Sequence, residues 1–192
     1  MTAYRAPSAT PPLVGRTLAL AAKVGFTDSC RPEVGGLLAT LAAGVRGGTI
    51  GEIGAGCGIG TAWLASALAS GVSPVTVERD PARAATVAAI FAALPAVRVL
   101  HADWPAPLPH GPFALLFADA PAKREEPEAL LGALALGGAI VLDDPTPEEQ
   151  WPAAWRGQRD PVRDFWLNDP RLIATELRIT ASSAAIIATR VR

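Results

Sequence analysis

Short apolar segments alternate with segments of helical periodicity along most of this chain of 192 residues, and this alternation restricts the fold more than any other feature. The apolar segments predict five strands, at residues 49–53, 74–78, 97–101, 113–118 and 137–142. Strands separated by helical patterns of about 10–15 residues form βαβ units, and such units build a parallel sheet. The alternation therefore predicts a doubly wound α/β fold.

The two ends of the chain depart from this alternation. Residues 172–179 and 184–191 predict strands that are too close together for a helical crossover, so they should pair as an antiparallel hairpin. Residues 1–12 are rich in Pro and Ala and predict a loose arm. Helices are predicted at 13–24, from 32 to a stop at 47–48, and at 59–69, 81–93 and 125–134. The whole chain, 1–192, is expected to form a single domain.

Composition excludes several classes of protein. Hydrophobic residues make up 50% and charged residues 18%, which argues against intrinsic disorder. The net charge of −1 provides no basic field for nucleic acid, and neither a signal peptide nor a membrane-spanning apolar run is visible. The two cysteines, Cys30 and Cys57, have no metal-binding spacing and form no disulfide framework. These features predict a soluble, cytoplasmic protein without a nucleic-acid or membrane partner; the oligomeric state, including a homodimer, stays open.

A glycine-rich turn follows the first predicted strand. Glycines at Gly54, Gly56 and Gly58 let the backbone turn sharply and approach a ligand, and the next helix presents free N–H groups that suit an anion. The spacing fails the dinucleotide pattern G-x-G-x-x-G, which disfavours an oxidoreductase that uses a nicotinamide cofactor. It also fails the phosphate-loop pattern, because no Lys lies nearby. What remains is an acid-x-G-x-G-x-G pattern whose acid is Glu52.

Acidic residues also end the second and third predicted strands. Glu78 can accept hydrogen bonds from two ribose hydroxyls, and Asp103 can accept one from an exocyclic amine, with Trp104 beside it as a stacking or edge partner. Each of these residues alone could be a solvated strand end or a turn residue. Together they indicate a nucleoside-containing ligand, because ligands of open α/β sheets bind at the carboxyl ends of the strands.

At this point the chain resembles the class I S-adenosylmethionine-dependent methyltransferases. Residues 52–58 match the first motif of that family, Glu78 matches its ribose acid, and Asp103 matches its adenine position. The resemblance covers roughly residues 32–192, including the closing antiparallel hairpin. It implies a Rossmann-like fold, S-adenosylmethionine as cofactor, and Glu52, the three glycines, Glu78, Asp103 and Trp104 as its binding residues.

Three aspartates follow the fourth and fifth strands: Asp119, Asp143 and Asp144. In a parallel sheet these strand ends meet at one edge, where the carboxylates repel one another unless a positive charge lies between them. A hard cation such as Mg²⁺ or Ca²⁺ fits ligation by oxygen atoms alone. The sequence therefore predicts a divalent-metal site, against the alternative that the aspartates only cap turns.

Here the resemblance narrows to the catechol and caffeoyl-coenzyme-A type O-methyltransferases. That family holds a metal with an Asp after strand four and an Asp-Asn pair after strand five, and uses a nearby Lys as base. The resemblance implies Asp119 and Lys123 as catalytic residues. The chain departs from it in having Asp143-Asp144 instead of Asp-Asn, and in placing Lys123 one residue later than the family does.

The expected activity is transfer of a methyl group to an oxygen of a small hydroxylated acceptor, with help from a divalent metal. Trp151, Trp155 and Trp166 follow the last aspartate and could line an aromatic acceptor pocket or belong to the core. Two alternatives stay open: a metal-independent transferase that acts on nitrogen or carbon, and a cofactor-binding module without catalysis.

Overall fold

The computed structural model describes residues 9–27, 30–143 and 145–192, and within these ranges seven strands form one sheet. In chain order the strands are β1 Gly48–Ile53, β2 Val72–Glu78, β3 Arg98–His101, β4 Phe113–Ala118, β5 Leu134–Leu142, β6 Leu172–Arg178 and β7 Ala184–Arg190. Across the sheet they follow the order β3-β2-β1-β4-β5-β7-β6. The first five pair in parallel, and β7 is antiparallel to both β5 and β6. The predicted doubly wound, Rossmann-like sheet with an antiparallel hairpin is confirmed.

Proline begins most of the helices in the described ranges. The helices are α1 Pro12–Val24, α2 Pro32–Gly44, α3 Ile59–Ala65, α4 Pro81–Phe91, α5 Ala122–Glu125, α6 Pro127–Gly132 and α7 Pro161–Asn168. Proline suits the first position because its φ is already helical and its missing N–H would have no partner there. Asp80 and Asp160 cap α4 and α7, and each side chain accepts a backbone N–H of the first turn. The predicted loose arm falls largely on residues 1–8, outside the described residues.

The core lies on both faces of the sheet. On one face α1 to α4 cover side chains such as Ile50 of β1, and Leu38 of α2 is completely buried against them. On the other face α5 to α7 cover Ile53, Leu116 and Trp166, which are also inaccessible to solvent. Each such large side chain contributes about 1.5–3 kcal/mol through burial, so β1 and β4 are held rigidly beneath the loops that follow them.

Several predicted bounds differ from the observed ones, and one of the differences involves proline. The single helix predicted over 125–134 is interrupted, because Pro127 disfavours helical geometry at Glu126, whose φ is −136°. The chain then enters β5 at Leu134, three residues before the predicted start at 137. Helix α7 was not predicted at all, although Asp160-Pro161 repeats the Asp-Pro start that correctly predicted α4.

Candidate active site

A cavity of about 590 Å³ opens at the carboxyl ends of the parallel strands. Its lining includes the residues at or just beyond four strand ends: Gly54 after β1, Glu78 of β2, Asp103 after β3 and Asp119 after β4. Sites for small ligands in proteins have volumes of about 300–1,000 Å³. We call this cavity the strand-end cleft. The structure thus brings together the acids that the sequence placed on separate strands.

The glycine turn forms one wall of the cleft, and its backbone needs glycine. Gly54, Gly56 and Gly58 have φ values of +92°, +54° and +81°, in the left-handed region. A Cβ at Gly54 would overlap the carbonyl oxygen of Asp119, and one at Gly56 would lie 2.9 Å from the ring of Phe26. Gly58 does not line the cleft: its missing Cβ faces side chains of α4 at 3.1 and 3.2 Å. Gly58 therefore packs the turn onto α4, whereas a Cβ at Gly54 or Gly56 would collide with residues that line the cleft.

Glu52 lies on β1 at the floor of the cleft and is 2% exposed. Its Oε2 accepts hydrogen bonds from the hydroxyls of Thr61 and, at 2.5 Å, Thr76, which joins β1 to α3 and β2. Burial raises the pKa of Glu52 to about 7, although both hydroxyls act in the opposite direction. Among the described residues, Oε1 has no hydrogen-bond partner. This buried, unpaired oxygen is a feature that a ligand donor in the cleft would satisfy.

Glu78, at the end of β2, is 5% exposed, and three protein donors contact its carboxylate. Oε2 accepts the backbone N–H of Gly56 at 2.8 Å, which ties the glycine turn to β2. Oε1 accepts the N–H of Asp80 at 2.8 Å and Nη2 of Arg83 at 2.9 Å. The guanidinium of Arg83 also lies 5.3 Å from the centre of the Phe26 ring. A ligand with two hydroxyl donors must therefore compete with Arg83 for Oε1.

Asp103 and Trp104 follow β3 and line the far end of the cleft. Oδ1 of Asp103 accepts the backbone N–H of Trp104 at 2.8 Å, and the N–H of Ala106 donates to the carbonyl oxygen of Asp103 at 3.1 Å, which closes a tight turn. The carboxylate of Asp103 is otherwise exposed, and the Trp104 side chain is half-buried beside it. The turn therefore presents an acceptor and a flat ring at the cleft together.

The ammonium group of Lys123 lies between the ends of β4 and β5. Nζ donates to the backbone carbonyl oxygen of Asp143 at 2.5 Å and lies 4.0 Å from Oδ1 of Asp119. The backbone of Lys123 is fixed in turn, because the indole N–H of Trp166 donates to its carbonyl oxygen at 2.9 Å. Although Lys123 lies one residue later in the sequence than the resemblance implies, its ammonium group still lies near Asp119 and Asp143.

The described part of the chain includes only two of the three predicted metal ligands. There, no group of three His, Cys, Asp or Glu side chains is arranged to hold a metal ion. Asp144 lies outside the described residues. Asp119 and Asp143 are described, and the ammonium of Lys123 lies near Oδ1 of Asp119 and the backbone carbonyl oxygen of Asp143. These donors do not fit a divalent ion while Lys123 is in place.

A second cavity, of about 390 Å³, lies beside Lys123, and we call it the tryptophan pocket. Trp151, with its indole N–H bonded to the carbonyl oxygen of Thr146 at 2.8 Å, and Trp155, which is 52% exposed, contribute to its lining. Trp166 is completely buried in the core instead. Trp166 therefore belongs to the core, as one of the two interpretations had it, and Trp151 and Trp155 line a cavity.

Arg163, which no predicted motif includes, fixes one wall of this pocket. Its guanidinium donates twice to Glu176 of β6, both at 2.7 Å, and once to Asp160 at 2.6 Å. It also lies 5.5 Å from the centre of the Trp151 ring. Hydrogen bonding to Glu176 raises the pKa of Arg163, so its charge is permanent. The partner carboxylate comes from a distant strand, and only the Asp160 contact could have been found locally.

No protein-family model matches this chain, and no curated protein matches its sequence. Solved structures match its fold closely. An O-methyltransferase from Bacillus cereus in complex with SAH (S-adenosylhomocysteine) is 23% identical with a TM-score of 0.75, over 95% of this chain and 92% of that one. The O-methyltransferase TomG from Streptomyces achromogenes, involved in tomaymycin synthesis and solved with SAM (S-adenosylmethionine), is 21% identical with a TM-score of 0.79, over 96% and 92%.

A third structure, the SAH-bound methyltransferase PaMTH1 from Podospora anserina, is 20% identical with a TM-score of 0.69, over 92% of this chain and 88% of that one. The chain therefore has the Rossmann-like fold of these methyltransferases over nearly its whole length. Within the described ranges, no helix reaches the length and hydrophobicity needed to cross a membrane.

Proposed function

We propose that this protein transfers the methyl group of S-adenosylmethionine to an oxygen atom of a small-molecule acceptor. The observation that carries this proposal is the ion pair between Asp119 and Lys123, which joins two cavities. Asp119 lines the strand-end cleft, Lys123 lines the tryptophan pocket, and their charged atoms are 4.0 Å apart. A cofactor bound in the cleft and an acceptor bound in the pocket would therefore meet beside Asp119 and Lys123. The first can accept a proton, and the second can stabilise a negative charge.

The cleft fits the cofactor by the chemistry of its lining. Glu78 would accept the ribose hydroxyls, and Asp103 would accept the exocyclic amine of adenine beside Trp104. The cradle at Gly54 and Gly56 would admit the amino-acid end of the cofactor, where an ammonium group could satisfy the unpaired Oε1 of Glu52. The solved structures of the same fold with SAM or SAH bound support this choice of cofactor.

When bound, the cofactor would supply an electrophilic methyl group to the acceptor oxygen, and its sulfur would keep the electron pair of the broken S–C bond. The chain contributes positioning, because the two cavities hold the partners on either side of the ion pair. Asp119 accepts the proton that leaves the acceptor hydroxyl. The ammonium of Lys123 stabilises the negative charge that develops on the same oxygen. Trp151 and Trp155 provide flat apolar walls for the body of the acceptor.

The proposal is tested first by calorimetric titration with SAH, which should bind in one-to-one stoichiometry. Gly56→Val should abolish binding, since its side chain would collide with the Phe26 ring that lines the cleft, on a backbone with φ +54°. Gly71→Val is the matched control: Gly71 also has positive φ, +83°, but its Cβ would meet open space. The control should bind SAH as the wild type does. Equal affinities of the two variants would show that the cleft is not the cofactor site.

Turnover is tested by incubating the protein and SAM with a panel of hydroxylated acceptors, with mass spectrometry to detect a product that has gained one methyl group. Methylation on oxygen supports the proposal. Binding of SAH together with methylation on nitrogen or carbon would contradict the acceptor assignment. Binding without any product across the panel would favour the non-catalytic alternative.

A further inference from the structure

We propose that the ammonium group of Lys123 is the resident cation between Asp119 and Asp143, in the place of a divalent metal ion. The proposal rests on the proposed function, because it concerns the positive charge that would lie beside the acceptor oxygen. It follows from three observations: the position of Nζ, the oxygen atoms that Nζ already occupies, and the anchoring of the Lys123 backbone.

The position of Nζ satisfies the charge balance at the end of β4 and β5. Carboxylates gathered at one edge of a sheet need a positive charge nearby, and this was the reason to expect a metal ion. Nζ lies 4.0 Å from Oδ1 of Asp119 and 2.5 Å from the carbonyl oxygen of Asp143. A fixed ammonium therefore provides at least part of the compensation that the sequence analysis assigned to Mg²⁺ or Ca²⁺.

The ammonium group would compete with a metal ion for the oxygen atoms around it. Mg²⁺ requires near-octahedral oxygen ligands at close range, and Ca²⁺ requires six to eight. The carbonyl oxygen of Asp143 already accepts a hydrogen bond from Lys123. A divalent ion ligated by Asp119 would in addition stand close to the ammonium, and the repulsion between the two cations would oppose binding.

The fold holds Lys123 in this position, because its backbone is anchored and most of its side chain is enclosed. Trp166 is completely buried, and its indole N–H donates to the carbonyl oxygen of Lys123 at 2.9 Å. The adjacent Ala122 is 1% exposed and packs into the same core. The side chain of Lys123 is only 19% exposed, so most of its length is enclosed. Such enclosure limits the freedom of Nζ to leave.

The test measures Mn²⁺ binding by calorimetry in the wild type, Lys123→Met, Lys123→Arg and Asp119→Asn, each after removal of metal with EDTA. The wild type and Lys123→Arg should bind Mn²⁺ no more tightly than about 1 mM, at the weak end of the range for cation sites in proteins. Lys123→Met keeps an apolar stem and loses the charge, so it should bind Mn²⁺ at least about tenfold more tightly. SAH affinity and the melting temperature of each variant show whether it is folded.

Two results would overturn the proposal. One is Mn²⁺ binding by the wild type at micromolar concentration that disappears in Asp119→Asn. The other is an equal Mn²⁺ affinity of the wild type and a folded Lys123→Met. With an acceptor found in the panel above, turnover should be unaffected by EDTA and should fall in Lys123→Met; loss of turnover in EDTA would also overturn it. Failure of the proposed function would be recognised separately, because SAH would then not bind to any of the proteins.

Discussion

The strand-end cleft and the tryptophan pocket open at the same edge of the sheet, but the chain builds them from different kinds of segment. The cleft is lined by residues that follow directly on β1, β2, β3 and β4. The pocket is lined mainly by residues between β5 and β6, at positions 145–163. The sheet fixes the geometry of the cleft, because the cleft is built on strand ends. The geometry of the pocket depends on the conformation of one long connection. Variants in the two regions should therefore differ in the property that they change.

Trp166 and Trp155 have different expected roles near the tryptophan pocket. Trp166 stabilises the fold, and Trp155 lines the cavity. Trp166→Ala should lower the free energy of unfolding by about 3–5 kcal/mol, because it removes a completely buried indole and leaves a cavity. It should also release the backbone of Lys123, whose carbonyl oxygen accepts the indole N–H. Denaturant unfolding followed by circular dichroism measures the effect.

Trp155→Ala is the matched control for this prediction. Its side chain is 52% exposed and lines the pocket, so the change in stability should stay within about 0.5 kcal/mol. The Michaelis constant for a methylated acceptor should rise while SAH affinity is unchanged. A loss of stability in Trp155→Ala as large as in Trp166→Ala would mean that the connection from β5 to β6 is packed as a core and not as a binding wall.

The contrast between cleft and pocket also explains what the sequence could predict. The strand at 113–118 was predicted at its observed bounds, and Glu78, Asp103 and Asp119 were placed at strand ends, because each signal is local. The role of Lys123 between two strands could not be predicted, since it depends on the turn at Pro121 and on the distant Trp166. The pair of Arg163 with Glu176 is likewise a contact between distant segments.

Glu52 should make the stability of the cleft depend on pH. Its pKa is about 7 in the folded protein and near its ordinary 4.5 when unfolded, so the folded state binds the proton more tightly. The contribution of Glu52 to the free energy of unfolding is therefore largest below about pH 4.5. It falls as pH rises towards 7, by about 3 kcal/mol in all. Glu52→Gln should remove this dependence.

Urea unfolding at about pH 5 and about pH 8 measures the difference for wild type and variant. Glu149→Gln is the control, because Glu149 is exposed and its pKa is lowered by hydrogen bonds, which places its titration below this window. The same slope in wild type and Glu52→Gln would show that Glu52 is ionised throughout, and that other groups determine the pH dependence.

Glu78 should contribute to the affinity for the cofactor more than to the fold. Glu78→Gln keeps the size of the side chain but removes its negative charge. That charge pairs with Arg83 and would strengthen hydrogen bonds from ribose hydroxyls. A hydrogen bond to a charged group contributes about 1.5–3 kcal/mol, so SAH affinity should fall by about 10- to 150-fold. Glu128→Gln, at an exposed ion pair with Arg171, should leave the affinity unchanged. An unchanged dissociation constant in Glu78→Gln would remove the ribose assignment.

Arg83 should have the smallest effect on affinity, and its sign should be opposite to that of Glu78. Oε1 of Glu78 already accepts the N–H of Asp80 and Nη2 of Arg83, so a ribose hydroxyl must displace one of them. The backbone N–H is fixed by the start of α4, whereas the side chain of Arg83 is 33% exposed and can move. A partly exposed ion pair is worth about 0.2–1 kcal/mol, so Arg83→Met should tighten SAH binding by up to about fivefold. Calorimetric titration measures the change, with Arg98→Met, at the start of β3 and outside the cleft lining, as control. Weaker binding in Arg83→Met would mean that Arg83 positions Glu78 for the ribose and does not compete with it.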